Sequence, residues 1–228
     1  MRLSWSQLLT AQRAPTANTN KSAPSPANPF RSPFEADVDR IVFSASFRRL
    51  SRKTQVHPLA QNDHVHTRLT HSIEVAHVGR SFGRRLGQWL NDRAELPAEN
   101  SEQDLIWILH AACLAHDIGN PPFGHAGEYA IREWVKNNPN LIFGDFPVTE
   151  GIRRDWELFE GNAQGFRIAG RADNAQAGYL RLTYASLGAM IKYPWDSRHP
   201  LAAEKGKFNV YSTELELFQH LAQVTGMA

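Results

Sequence analysis

The stretch Ser-Glu-Gln-Asp-Leu-Ile-Trp-Ile-Leu-His-Ala-Ala-Cys-Leu-Ala-His-Asp-Ile-Gly-Asn-Pro-Pro (residues 101–122) decides the fold. Its first four residues are a helix-start signal, and Leu105, Ile108, Leu109, Ala112 and Cys113 follow at helical spacing. Ile118-Gly119-Asn120-Pro121-Pro122 ends the helix, because Gly and Pro cannot comfortably extend one. His116 and Asp117 therefore close an apolar helix, where a buried charge has little reason to exist without a partner. A metal ion supplies that partner: imidazole nitrogen and carboxylate oxygen suit Mn²⁺, Fe²⁺, Mg²⁺ or Zn²⁺. Cys113 is the only cysteine, so a structural thiolate zinc site is set aside.

Working outward, the same helical period recurs on both sides. Upstream, Ile41, Val42, Phe43, Phe47 and Leu50 follow it roughly, then a loop carries His57-Pro58 and Gln61-Asn62-Asp63-His64. Thr67 or Thr70 caps the next helix, with Glu74 placed to help. Ile73, Val75, Val78, Phe82, Leu86 and Leu90 mark one apolar face of that helix. Downstream, helices are expected over about 126–136 and over 150–165, ending near Gly161 or Gly165. A loop with Arg167 and Arg171 follows, then helices over 180–191 and 211–224, the last starting at Ser212 or Thr213. Pro194, Pro200 and Gly206 break the region between. Neither alternating strands nor an internal repeat is present, so the fold class is all-α.

Residues 1–33 form a separate stretch. From Ala11 it is rich in Ala, Pro, Asn, Thr and Ser, and cannot bury enough surface to offset its ordering entropy. It reads as a flexible or irregular N-terminal arm before a folded body over 34–228. A length of 228 residues suffices for a sizeable core. The formal net charge of +2 implies no general attraction to nucleic acid or membrane, although local basic clusters can still act. No run of eighteen apolar residues exists, no signal peptide is evident, and one reduced, buried cysteine suits the cytoplasm.

Eight of the ten histidines (His57, His64, His66, His71, His77, His110, His116 and His125) fall within one third of the chain. Taken singly, each is best read as a surface or satisfied core histidine. The arrangement favours chemistry for three of them. His71 stands near a helix start beside Arg68 and Ser72, and His116 precedes Asp117. His125 and Glu128 are three apart at a helix start and share a face. An imidazole held by a carboxylate suits proton transfer at neutral pH, although an incidental helix-start pair is the alternative. Arg48, Arg49, Arg52 and Lys53 form a basic cluster for polyphosphate or nucleic acid, or a solvated helix face.

Several segments in fixed order resemble the dGTPase-like (deoxynucleoside triphosphate triphosphohydrolase) family of HD-domain proteins. They are residues 47–56 (FRRLSRKTQV), 67–72 (TRLTHS), 115–125 (AHDIGNPPFGH) and 159–164 (FEGNAQ), with Lys192-Tyr193-Pro194-Trp195 and Lys207-Phe208 continuing the series. The resemblance spans roughly residues 35–220 and implies an all-helical HD-domain bundle. It implies hydrolysis of a dNTP, dGTP among the candidates, to deoxynucleoside and inorganic triphosphate. It further implies His71, His116 and Asp117 as metal ligands, Arg68 as a phosphate contact, Gln55 as a reader of the deoxyribose and Asn120 in support. His125 and Glu128 become the acid–base pair. A homo-oligomer is expected, and single-stranded DNA is a second candidate partner beside the dNTP.

The family completes its metal site with a second aspartate in an acidic helix downstream of the Lys-Phe-Gly-like motif. No matching context follows Lys207-Phe208, and Asp155, Asp173 and Asp196 lie in other contexts. The expectation is therefore the N-terminal part of a longer enzyme. A non-catalytic nucleotide- or nucleic-acid-binding module, and an HD phosphodiesterase or 5′-nucleotidase, stand as the alternatives.

Overall fold

The computed structural model describes residues 3–15, 30–55, 64–171 and 179–227. The expected loop at 57–63, the middle of the arm and Asp173 lie outside the described residues. Helices make up the body, and backbone pairing between extended segments is limited, among the described residues, to isolated bridges such as Thr54–Thr67. The all-α expectation holds.

The chain opens with a short α1 (Trp5–Leu8), then α2 (Pro33–Val42) and α3 (Ala45–Arg48), which runs into a 3-10 turn at Arg49–Arg52. Two long helices, α4 (Arg68–Asp92) and α5 (Glu102–Ala115), form the centre. Thr67 caps α4 through a reciprocal pairing with Thr70, and Ser101 does the same for α5 with Asp104. Each such cap contributes about 1 kcal/mol. Glu74 takes no part in the cap; it faces His66 at the surface.

The face that α4 buries differs from the one its apolar spacing predicts. Ile73, Val78 and Phe82 are exposed, whereas Ser72, Ala76, Gly79, Gly83 and Gly87 face inward with Leu90. The reason is backbone proximity. A Cβ on Gly79 would stand 2.6 Å from the Cys113 sulfur, and one on Gly83 would stand 2.7 Å from Ile106 Cα. Only a stripe of small residues lets α5 approach so closely.

Around this pair sit α6 (His125–Asn137), α7 (Pro139–Phe143), α8 (Glu150–Glu157), α9 (Gly161–Gly170), α10 (Tyr184–Ala189), α11 (Pro200–Lys205) and α12 (Leu215–Thr225). The single helix expected over 150–165 is two, separated at Leu158–Glu160, where the Glu160 carboxylate accepts the N–H groups of Asn162 and Ala163 and starts α9. Arg167 consequently lies within a helix and not in a loop. Thr183 caps α10, so the helix expected from Leu180 starts later. Leu180 and Leu182 instead donate backbone hydrogen bonds to Ile168 and Ala169.

Ile41, Leu50, Ile118, Phe166, Leu182, Leu187 and Leu221 meet in the main core, each contributing about 1.5–3 kcal/mol by burial. Residues 3–15 join this body. Arg13 is fully buried, pairs with buried Asp37 at 2.5 Å and donates to the carbonyls of Pro33 and Arg181. That part of the expected irregular arm is docked, because a buried arginine with a carboxylate and two carbonyl acceptors anchors it.

Candidate functional site

The end of α5 delivers the central residues. After Ala115 the chain turns, with Ile118 N–H bonded to the Ala115 carbonyl and Asn120 N–H to that of Asp117. The turn buries Ile118 in the core and directs His116 and Asp117 toward the first turn of α4, which carries Arg68 and His71. Ligand-capable atoms of His71, His116 and Asp117 lie within 4.8 Å of one another. The two imidazoles meet edge to face, with centroids 5.2 Å apart.

His116 Nδ1 lies 2.7 Å from the Cys113 carbonyl. A carbonyl only accepts, so Nδ1 carries the proton and Nε2 presents its lone pair. Nε2 lies 3.5 Å from Asp117 Oδ1. Asp117 Oδ2 accepts from Arg68 Nη1 at 2.5 Å, and Oδ1 accepts from Asn120 Nδ2 at 2.6 Å. A carboxylate offers about four lone-pair sites, so two donors leave acceptor capacity for a cation. These three residues can hold a metal ion: an oriented imidazole lone pair, a second imidazole and an anchored carboxylate form its usual donor set. Asp155 and Asp196 are not in the cluster. Asp155 is buried against Ser197 and Ser212, and Asp196 pairs with Arg198.

Glycine shapes the wall behind this cluster. Gly124 has φ +55°, and a Cβ there would stand 2.4 Å from Arg68 Nη2. The missing side chain is the space that the guanidinium occupies.

α6 contributes the second group. His125 Nδ1 lies 2.9 Å from Glu128 Oε2; the imidazole is exposed, whereas the carboxylate is buried. Burial pushes the Glu128 carboxyl up, but hydrogen bonds from His125 and the Gly161 N–H, with Lys207 beside them, outweigh it. The net result is a carboxyl below its ordinary value, hence an anion, as expected where several donors each contribute roughly 1.5–3 kcal/mol to a charged acceptor.

Lys207 ties the site to its surroundings. Its Nζ reaches Glu160 Oε1 at 2.8 Å and Glu128 Oε2 at 3.2 Å. Burial lowers the Lys207 ammonium, but the two carboxylates, Glu160 first, raise it by more and leave it above its ordinary value. Glu160, Gly161 and Lys207 stand within the motifs quoted above, yet local spacing assigned them no role. Their partnerships cross long stretches of chain and leave no periodic signal. Gln55 donates its backbone N–H to the His66 carbonyl at 3.3 Å, just before α4, and its side-chain oxygen is buried and unpartnered. Within the basic cluster, Arg48 donates to the Phe43 carbonyl and Lys53 to the Asn120 carbonyl.

A helical body that brings a histidine from one long helix to a His–Asp pair ending its neighbour defines an HD-domain protein, and the HD-domain family model matches residues 68–158. That range contains His71, His116, Asp117, His125 and Glu128. The chain is 50% identical over 228 residues to a deoxyguanosinetriphosphate triphosphohydrolase-like protein of Pseudomonas aeruginosa (strain LESB58), covering 99% of this chain and 50% of that protein. A likewise named protein of Synechocystis sp. (strain ATCC 27184 / PCC 6803 / Kazusa) is 42% identical, covering 99% of this chain and 52% of its own length. The deoxyguanosinetriphosphate triphosphohydrolase of Enterobacter sp. (strain 638) is 38% identical over 186 residues, covering 70% of this chain and 36% of its own. The HD-domain match and these relatives, similar over up to 99% of this chain, bear out the dGTPase-like resemblance that its motif order implied. The chain spans about half the length of the curated relatives it matches.

Proposed function

We propose that this chain carries the metal-centred part of a dNTP triphosphohydrolase, releasing deoxynucleoside and inorganic triphosphate. One observation carries the reading: a His71/His116/Asp117 cluster flanked by the Arg68 guanidinium, with the buried Glu128 carboxylate behind His125 on the adjoining helix. The names of the relatives support dGTP among the substrates.

His71, His116 and Asp117 would hold the divalent ion, for which Mn²⁺, Mg²⁺, Fe²⁺ and Zn²⁺ are the candidates. When bound, such an ion acidifies water and offsets charge on phosphoryl oxygens. Arg68, steered by Asp117, places positive charge beside the cluster for a phosphate group. Asn120 keeps the Asp117 carboxylate oriented. His125, fixed through Nδ1 by Glu128, moves a proton at Nε2 as water oxygen bonds to the α-phosphorus and the bond to the deoxynucleoside oxygen breaks. Gln55 offers an amide for the sugar hydroxyl.

Homo-oligomerisation completes the reading on the strength of the resemblance; single-stranded DNA as a partner rests on the basic residues Arg48, Arg49, Arg52 and Lys53, and residence in the cytoplasm on the single reduced cysteine. No helix among the described residues is long and apolar enough to cross a membrane.

The test is incubation of the full-length protein with each dNTP and Mn²⁺, Mg²⁺ or Co²⁺, with triphosphate release measured. Release that His116→Ala abolishes is the expected result. Failure with every combination sinks the proposal, and nucleotide binding without turnover would favour the non-catalytic module.

A further inference from the structure

Asp117 receives one hydrogen bond on each carboxylate oxygen, from Arg68 and from Asn120. These two donors come from distant parts of the chain, the start of α4 and the turn after α5. Both are tied to a single residue. The backbone carbonyl of Lys53 accepts the Arg68 N–H at 2.8 Å, and the Lys53 ammonium donates to the Asn120 carbonyl at 2.6 Å. The Thr54–Thr67 bridge and the Gln55–His66 hydrogen bond continue this pairing. Lys53 thus spans the gap between the two helix ends whose side chains orient the carboxylate.

We propose that Lys53 is a positioning residue for the metal site, bracing Arg68 through its carbonyl and Asn120 through its ammonium so that Asp117 keeps its ligand orientation. The inference rests on the metal-site reading above. It also explains an otherwise unfavourable placement. Burial, Arg68 and Arg49 all push the Lys53 ammonium below its ordinary value, the reverse of what a solvated surface lysine experiences. A cation kept in such a place has a structural partner that holds it there.

The sign of the effect separates this role from simple charge. An ammonium near a cation site repels the cation, so its removal by charge alone would tighten metal binding. Loss of a group that orients a ligand weakens binding, by about tenfold or more.

Mn²⁺ affinity is measured by calorimetric titration and by the electron paramagnetic resonance signal of free Mn²⁺, on protein with parental helical circular dichroism. Lys53→Met is expected to weaken Mn²⁺ binding about tenfold. Lys53→Arg, which keeps a donor, is expected to recover part of the loss. Arg49→Met removes a neighbouring charge with no bond to Asn120, and should leave affinity unchanged or tighter. Should Lys53→Met lose its helical signal, Lys53→Gln carries the same expectation. Parental or tighter Mn²⁺ binding by the Lys53 variant overturns the proposal while His116→Ala still weakens it. Undiminished binding by His116→Ala would overturn the metal-site reading itself, and this inference with it.

Discussion

The buried Glu128 carboxylate and the exposed His125 imidazole meet at 2.9 Å, so a fixed anion stands behind a ring that faces solvent. The carboxylate is held in turn by the Gly161 N–H and by Lys207. This division suits proton transfer: the anion orients the ring through Nδ1, while the other ring nitrogen remains available.

Glu128→Gln keeps the shape of the side chain and removes its charge. Triphosphate release by the full-length protein should fall about 100-fold, within the range expected for acid–base groups. Mn²⁺ affinity should stay within about twofold of the parent, because Glu128 lies outside the His71/His116/Asp117 cluster. Steady-state kinetics beside Mn²⁺ titration checks both. Equal loss of affinity and rate would place Glu128 in the metal site instead.

Two glycines of α9 make a matched pair. A Cβ on Gly161 would stand 2.1 Å from Asn120 Oδ1 and 2.9 Å from Glu128 Oε1, whereas the nearest atom to one on Gly165 would be 3.7 Å away. Gly161→Ala should therefore push apart the Asn120 and Glu128 sides of the site, costing about 1–3 kcal/mol in urea unfolding and weakening Mn²⁺ binding. Gly165→Ala should be neutral or stabilising by up to about 1 kcal/mol, since alanine favours a helix interior. Equal destabilisation by both would contradict this account.

These contacts mark where reading the sequence ran out. The end of α5 was legible because an apolar run meets Gly119, Pro121 and Pro122 within seven residues of Ala115. The His125–Glu128 pair was legible because both lie on one turn of one helix. The buried face of α4 was misjudged because large apolar residues were given the weight, while closeness to α5 selected Gly79, Gly83 and Gly87. The break before α9 was missed because glutamate is a less common cap than serine or aspartate, yet Glu160 accepts two backbone N–H groups. Lys53 and Lys207 were out of reach: their partners lie 67 and 79 residues away.

The docked N-terminal segment gives a stability prediction. Arg13 and Asp37 are both buried, and Asp37 also accepts from the Thr183 N–H and hydroxyl. Removing one partner leaves an uncompensated buried charge, so Arg13→Met or Asp37→Ala should cost about 3–5 kcal/mol. The double variant should cost less than the sum, because neither charge remains. A strictly additive double-mutant cycle, measured by urea unfolding, would show that the pair is not coupled.

The last prediction concerns acid. His110 stacks on Trp107 and faces His77, and burial, followed by Arg80 and His77, lowers its pKa from 6.5 to about 4. The folded state therefore prefers the neutral ring, and between pH 6.5 and 4 the unfolded chain binds more protons. Stability linked to this residue is fully present above pH 6.5 and drains away as pH falls toward 4. For a ring only half withdrawn from water, the loss between pH 7 and pH 5 should be roughly 1–2 kcal/mol. His110→Gln cannot titrate, so its urea-unfolding free energy should fall less over that interval by about the same amount. Parallel pH dependence in parent and variant would show that His110 titrates alike in the folded and unfolded chain. Glu128 does not account for a loss in this interval, because its depressed carboxyl gives up its own contribution only as pH falls below the usual carboxylate range.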